Sequence, residues 1–114
     1  MYALGIDIGG SGIKGALVNL ESGELASDRI RIETRESFNI DEVTQTIARL
    51  VREFDYKGKV GIGFPAAVAE GIVLTPPTAH HVKGWVDQSV NERFSEATHC
   101  EVTVLNDADA AGLA

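Results

Sequence analysis

The period of the apolar positions changes several times along the chain, and each change marks an element. Residues 2–8 and 13–20 are apolar-rich runs with glycines between them, and they read as two strands joined by a tight turn. Glu21-Ser22-Gly23-Glu24 has the composition of a hairpin loop, and a third strand is predicted over 24–33. Within it Ile30 and Ile32 alternate with Arg29, Arg31 and Glu33. That is the pattern of a half-exposed strand at or near a sheet edge, with the arginines on its solvated face. Ile40, Val43, Ile47, Leu50, Val51 and Phe54 then recur at helical spacing. Asn39 with Glu42 three residues later has the form of a capping box, so a helix is predicted over 40–54. Lys59–Phe64 reads as a short buried strand that Pro65 ends. Residues 66–74, with Glu70-Gly71 in the middle, predict a small hairpin or loop. Residues 75–84 are irregular. Trp85 leads into a predicted second helix over 86–97, with Val86, Val90, Phe94 and Ala97 on one face. Residues 101–105 form the last strand, and a third helix starts at Asn106.

The predicted order is βββαβαβα, an α/β arrangement with a mixed five-stranded sheet and helices packed on it. One lobe of the actin-like, ribonuclease-H-like ATPase fold has this order. Fold alone does not establish function, so the chemistry must come from particular residues.

The turn between the first two strands is the first of these. It holds Gly9, Gly10, Gly12 and Gly15 beside Asp7, Ser11 and Lys14. Glycine lets backbone N–H groups approach a phosphate closely, because no Cβ stands in the way. A plain hairpin needs one or two glycines. The Walker pattern requires a helix after its lysine, and here Lys14 is followed by Gly15 and a strand. The dinucleotide fingerprint fails for the same reason. The segment therefore reads as a phosphate-holding turn between two strands, which points to phosphoryl transfer.

Composition narrows the partners. The 114 residues suffice for one domain with a real core. The formal net charge is −7, and the four lysines and six arginines do not cluster along the sequence. A general basic face for nucleic acid or an anionic membrane is not expected. Phosphate binding must then rest on backbone amides, one or two placed cations and a metal. The single cysteine, Cys100, rules out a disulfide framework and a cysteine-rich zinc site, and it fits a reducing, cytoplasmic setting. No signal-peptide pattern or membrane-length apolar run is visible.

The second chemical segment is Val102–Gly112. Asn106 and Asp107 fall where a strand ends and a helix begins, and open α/β sheets bind ligands beyond the carboxyl ends of their strands. A carboxylate there can accept a proton from an attacking hydroxyl, and an amide beside it can fix a neighbouring hydroxyl. Asp109, two residues on, reads as a helix-terminus acid rather than a site residue.

Three segments in this order, Asp7-Ile8-Gly9-Gly10-Ser11-Gly12-Ile13-Lys14-Gly15-Ala16, Gly61-Ile62-Gly63-Phe64-Pro65 and Leu105-Asn106-Asp107-Ala108-Asp109-Ala110-Ala111-Gly112-Leu113-Ala114, resemble the N-terminal lobe of ROK-family sugar kinases, and among them the polyphosphate/ATP glucokinases. The resemblance implies phosphoryl transfer from polyphosphate or ATP to a hexose such as glucose, at its 6-hydroxyl. It implies that Asp7 helps hold the donor's Mg²⁺, through water, and that Gly9, Gly10, Ser11, Gly12 and Lys14 cradle the donor phosphates. Gly63 and Pro65 would shape the sugar turn, Asn106 would bind sugar hydroxyls, and Asp107 would be the catalytic base. It implies a homodimer.

The sequence departs from the family pattern in three places. Ala66 replaces the last glycine of Gly-Phe-Pro-Gly, which would cost strain if that position needs a positive φ. His80 and His81 occupy a segment that usually carries an asparagine, and they are too few for a metal site by themselves. Lys83, nearby, could meet an anionic donor but reads first as a solvated lysine. The sequence also stops within its predicted last helix, so residues 1–114 are expected to be a single N-terminal lobe of a two-lobed kinase. Such a lobe alone would be weakly active or inactive. The alternative is a free-standing actin-like half-domain that self-associates or binds phosphate without catalysis.

Overall fold

A computed structural model describes residues 2–9, 12–33, 39–75, 77 and 84–106. The elements are β1 (Tyr2–Ile8), β2 (Gly12–Asn19), β3 (Ile30–Glu33), α1 (Ile40–Glu53), β4 (Lys59–Phe64), β5 (Val68–Ala69), β6 (Ile72–Val73), α2 (Val90–Thr98) and β7 (Glu101–Asn106). Five strands form one sheet in the order β3-β2-β1-β4-β7, and β5 and β6 form a separate two-stranded ribbon. β1, β4 and β7 are mutually parallel, β2 is antiparallel to β1, and β3 is antiparallel to β2. This is the mixed five-stranded sheet expected from the sequence. The third helix is predicted to start at Asn106, but Asn106 is the last residue of β7, paired with Phe64; the rest of that predicted helix lies outside the described residues.

Strand alternation gives the sheet two unlike faces. Leu4, Ile6 and Ile8 of β1, Val60, Ile62 and Phe64 of β4, and Val102 and Val104 of β7 are all buried in one cluster with Val43, Ile47, Leu50 and Val51 of α1 and Val90 and Phe94 of α2. Both described helices therefore lie on that face. The intervening positions, Ala3, Gly5 and Asp7 on β1 and Gly61 and Gly63 on β4, point to the opposite side. Trp85 is fully buried and its ring lies 4.9 Å from that of Phe64, tilted by 49°.

Two boundaries differ from the sequence expectation, each because another segment of the chain bonds there. The third strand is only Ile30–Glu33, with Leu25 making an isolated bridge to Val18. The Ser27 hydroxyl accepts a bond from Leu17 N at 2.9 Å and donates to Asp28 O, so a side chain takes a ladder position and breaks the strand. The second helix starts at Val90 rather than at 86. Asp87 has φ of 69°, Asp87 N donates to Val73 O, and Val73 N donates to Gln88 O. Those bonds tie residues 87–88 to β6 in a non-helical conformation. The 66–74 segment forms a true hairpin, with a left-handed turn at Glu70 (φ 52°) and Gly71 (φ 78°).

The start of α1 follows the expected cap. Asn39 Oδ1 accepts a bond from Glu42 N at 2.9 Å, and Asp41 and Glu42 lie in the positive first turn. Arg93 of α2 reaches Asp41 at 2.9 Å and links the two helices. Asn39→Ala is expected to lower stability by about 1 kcal/mol. Urea denaturation would show this as a lower midpoint with unchanged slope.

Candidate functional site

The register lines up the proposed site residues without reference to any ligand. Arg31 pairs with Lys14, Lys14 with Asp7, Asp7 with Gly63, and Gly63 with Leu105. One row of positions thus crosses all five strands. The row lies at the end of the sheet where β1, β4 and β7 finish, which is where open α/β sheets bind ligands. Neighbouring strands lie about 4.8 Å apart, so Asp7 and β7 are separated by roughly 10 Å.

At the β1–β2 end of the row, Gly9 N donates to Gly12 O at 2.9 Å and closes the turn that joins β1 to β2. Asp7 and Lys14 are both exposed and face each other across the strand pair. Gly10 and Ser11 lie outside the described residues. Asp7 brings one carboxylate to this end of the sheet. A single carboxylate fits a Mg²⁺ ion held mostly by phosphate oxygens and water. Among the described residues no group of three or more His, Cys, Asp or Glu side chains is placed to hold a metal.

At the other side, Phe64 pairs with Asn106, so β4 and β7 end together. Gly63, Pro65 and Ala66 are buried just beyond. Asn106 Nδ2 donates to Ala66 O at 3.0 Å, which ties the turn after β4 to the end of β7. Ala66 is not among the residues with positive φ, so alanine carries no backbone strain there. Asp107, His80, His81 and Lys83 lie outside the described residues.

Sequence reasoning missed how the end of β7 is held. β7 is the edge strand beside β4, and side chains from α2 satisfy its outward amides. Val104 N donates to Asn91 Oδ1 at 2.8 Å, and Val102 N donates to Ser95 Oγ at 3.1 Å. Asn91 and Ser95 are four residues apart and so share one face of the helix. Gly71 presses on Asn91: a Cβ at Gly71 would sit 2.4 Å from Asn91 Cγ. Gly71 O also accepts the amide of Val90 at 2.8 Å. The ribbon, the start of α2 and the end of β7 therefore form one bracket beneath Asn106. The only sequence signal was two polar residues at helical spacing beside Val90 and Phe94, which is too common to single out.

This mixed five-stranded sheet with helices on one face is a lobe of the actin-like ATPase fold. A ROK family model matches residues 3–114, and the chain belongs to that family. It is 41% identical over 114 residues to the polyphosphate glucokinase of Mycobacterium tuberculosis H37Ra, covering 99% of this chain and 42% of that protein. It is 42% identical over 111 residues to the Mycobacterium leprae polyphosphate glucokinase, covering 96% of this chain and 34% of that protein. The inorganic polyphosphate/ATP-glucomannokinase from Arthrobacter sp. strain KM superposes with a TM-score of 0.91 at 33% identity, over 98% of this chain and 46% of that one. A ROK family glucokinase from Streptomyces griseus, in complex with glucose and AMPPNP, gives 0.80 at 25% identity, over 98% of this chain and 35% of that one. The chain thus spans less than half the length of each of these relatives.

The bracket predicts a specific coupling. Gly71→Ala places an alanine at φ 78° against Asn91 and should cost about 2 kcal/mol. Asn91→Ala leaves the Val104 amide without its acceptor and should cost about 1–3 kcal/mol. The double variant removes the contacts with Asn91 Cγ and Nδ2 but keeps the one with Asn91 Cβ at 2.8 Å and the positive φ, so its cost in urea denaturation should fall only partly below the sum of the two single costs.

Proposed function

We propose that this chain is the N-terminal lobe of a hexose kinase that transfers a phosphoryl group from polyphosphate or ATP to the 6-hydroxyl of glucose. The row from Lys14 through Asp7 and Gly63 to the paired ends of β4 and β7 is the observation that carries the reading. It sets a donor-type turn and an acceptor-type turn side by side at one end of the sheet. Kinship with the polyphosphate glucokinases supports the same assignment. In this reading the protein works as a homodimer in the cytoplasm, and the single buried cysteine fits such a reducing setting.

The assigned roles follow from what each group can do. Amides of the Gly9–Gly12 turn and the Lys14 ammonium hold the donor phosphates. Asp7 would hold a Mg²⁺ ion, whose charge would offset that of the donor when bound. Gly63 and Pro65 shape the floor under the sugar. Asn106 orients a sugar hydroxyl while its Nδ2 holds the Ala66 carbonyl. Asp107, next along the chain, accepts the proton of the attacking 6-hydroxyl. Such catalysis depends mainly on placement and charge neutralisation, so Asp107 positions the hydroxyl as well as deprotonating it.

The test uses a chain carrying both lobes. Asp107→Asn should lower kcat with saturating glucose by about a hundredfold or more, within the range for a lost general base. The coupled glucose-phosphorylation assay reads this directly. Turnover near wild type would remove Asp107 from the role of base. The 114-residue chain by itself should phosphorylate glucose very weakly, since one lobe leaves the cleft open to water.

A further inference from the structure

Arg31 stands beside Lys14 and over the glycine turn. It is the direct cross-strand partner of Lys14, so two cations face each other on one side of the sheet. Like charges in that relation repel. The chain has 17 acidic and 10 basic residues, so its composition does not force two cations together. The guanidinium also leans over Gly12. A Cβ added at Gly12 would stand 2.9 Å from Arg31 Nε and Cζ and 3.0 Å from Nη2. A side chain at residue 12 would therefore displace the guanidinium, and glycine there leaves it room. Because Gly12 O closes the turn with Gly9 N, the guanidinium stands against the wall of the glycine turn. Exposed Glu33 lies 3.6 Å from Arg31 Nη1 and steadies one edge of the fork.

We propose that Arg31 is a second anchor for the phosphoryl donor, after Lys14, and that the ligand it selects is a linear inorganic polyphosphate. The proposal rests on the donor-turn reading above and adds to it a residue that chooses between its two donors. The acceptor turn is on the β4 and β7 side of Asp7, whereas Lys14 and Arg31 lead the other way, towards the β3 edge. Lys14 and Arg31 stand on neighbouring strands, whose backbones lie about 4.8 Å apart. A ligand that follows them must carry negative charge at successive positions away from the transferred group. A polyphosphate chain does so. A nucleoside triphosphate carries its charge at one end and continues as sugar and base. The planar guanidinium fork can engage two phosphate oxygens at once, which an ammonium cannot match.

Calorimetric titration of a chain carrying both lobes with linear polyphosphate and, separately, ATP, each with Mg²⁺, tests this. Arg31→Gln should weaken polyphosphate binding about tenfold, the effect of one charge-assisted contact. It should change ATP binding by less than about threefold, while Lys14→Ala weakens both ligands. Arg31→Lys should fall between Arg31→Gln and wild type for polyphosphate, because it keeps the charge and loses the fork. Arg31 is exposed on the strand surface, so the urea midpoint of each variant should match wild type and exclude a folding defect. If Arg31→Gln leaves polyphosphate binding within about twofold, or weakens ATP as much, the inference about Arg31 is overturned while the Lys14 result keeps the donor turn. If the wild-type chain binds neither ligand, both the inference and the donor reading are overturned.

Discussion

The parallel register of β1, β4 and β7 is the constraint on which the rest of the structure depends. It places Asp7 opposite Gly63 and Gly63 opposite Leu105, with Asn106 one residue further on. The register is held by burial. Leu4, Ile6, Ile8, Val60, Ile62, Phe64, Val102 and Val104 all face the helices. Slipping any strand by one residue would turn its apolar set to the open side and carry Asp7 or Asn106 away from the site. The apolar alternation that builds the core and the polar positions that build the site are thus two readings of one pattern. Selection for a dry helix face also fixes which residues stand at the strand ends.

A second, smaller constraint keeps the far side of the site in place. β7 is at the sheet edge, and edge strands leave a row of unpaired amides. Here Asn91 and Ser95 fill that role, and Gly71 locks Asn91 against the ribbon that follows the turn after β4. Asn106 returns the connection by bonding Ala66 O. The turn after β4 is therefore held from below through α2 and from the side through β7. The turn between β1 and β2 is a short hairpin closed by the Gly9–Gly12 bond and lined on one side by Arg31.

Much of this was legible in the sequence, because the signals were local. The glycine turn between two strands, the Asn39 cap, the buried Lys59–Phe64 strand and the meeting of strand end with Asn106 each depend on a few adjacent residues. What escaped depended on contacts between distant segments. The strand predicted over 24–33 is cut short by Ser27 bonding Leu17, ten residues away. The helix predicted from 86 starts at 90 because Val73 engages residues 87 and 88. Arg31 reads as a surface arginine until the Lys14 register and the space over Gly12 are known. The strain expected for Ala66 does not arise, because the turn avoids positive φ at that residue. Neither fact has a sequence signature.

The central claim is that donor and acceptor sites lie side by side along one row at the strand ends. Amide chemical-shift mapping of the isotopically labelled chain tests it most directly. Polyphosphate with Mg²⁺ should move Gly9, Gly12, Lys14 and Arg31, and glucose should move Gly63, Ala66 and Asn106, with the amides of α1 and α2 that face the core unchanged. Shifts centred on the helices, or both ligands moving the same amides, would contradict the account.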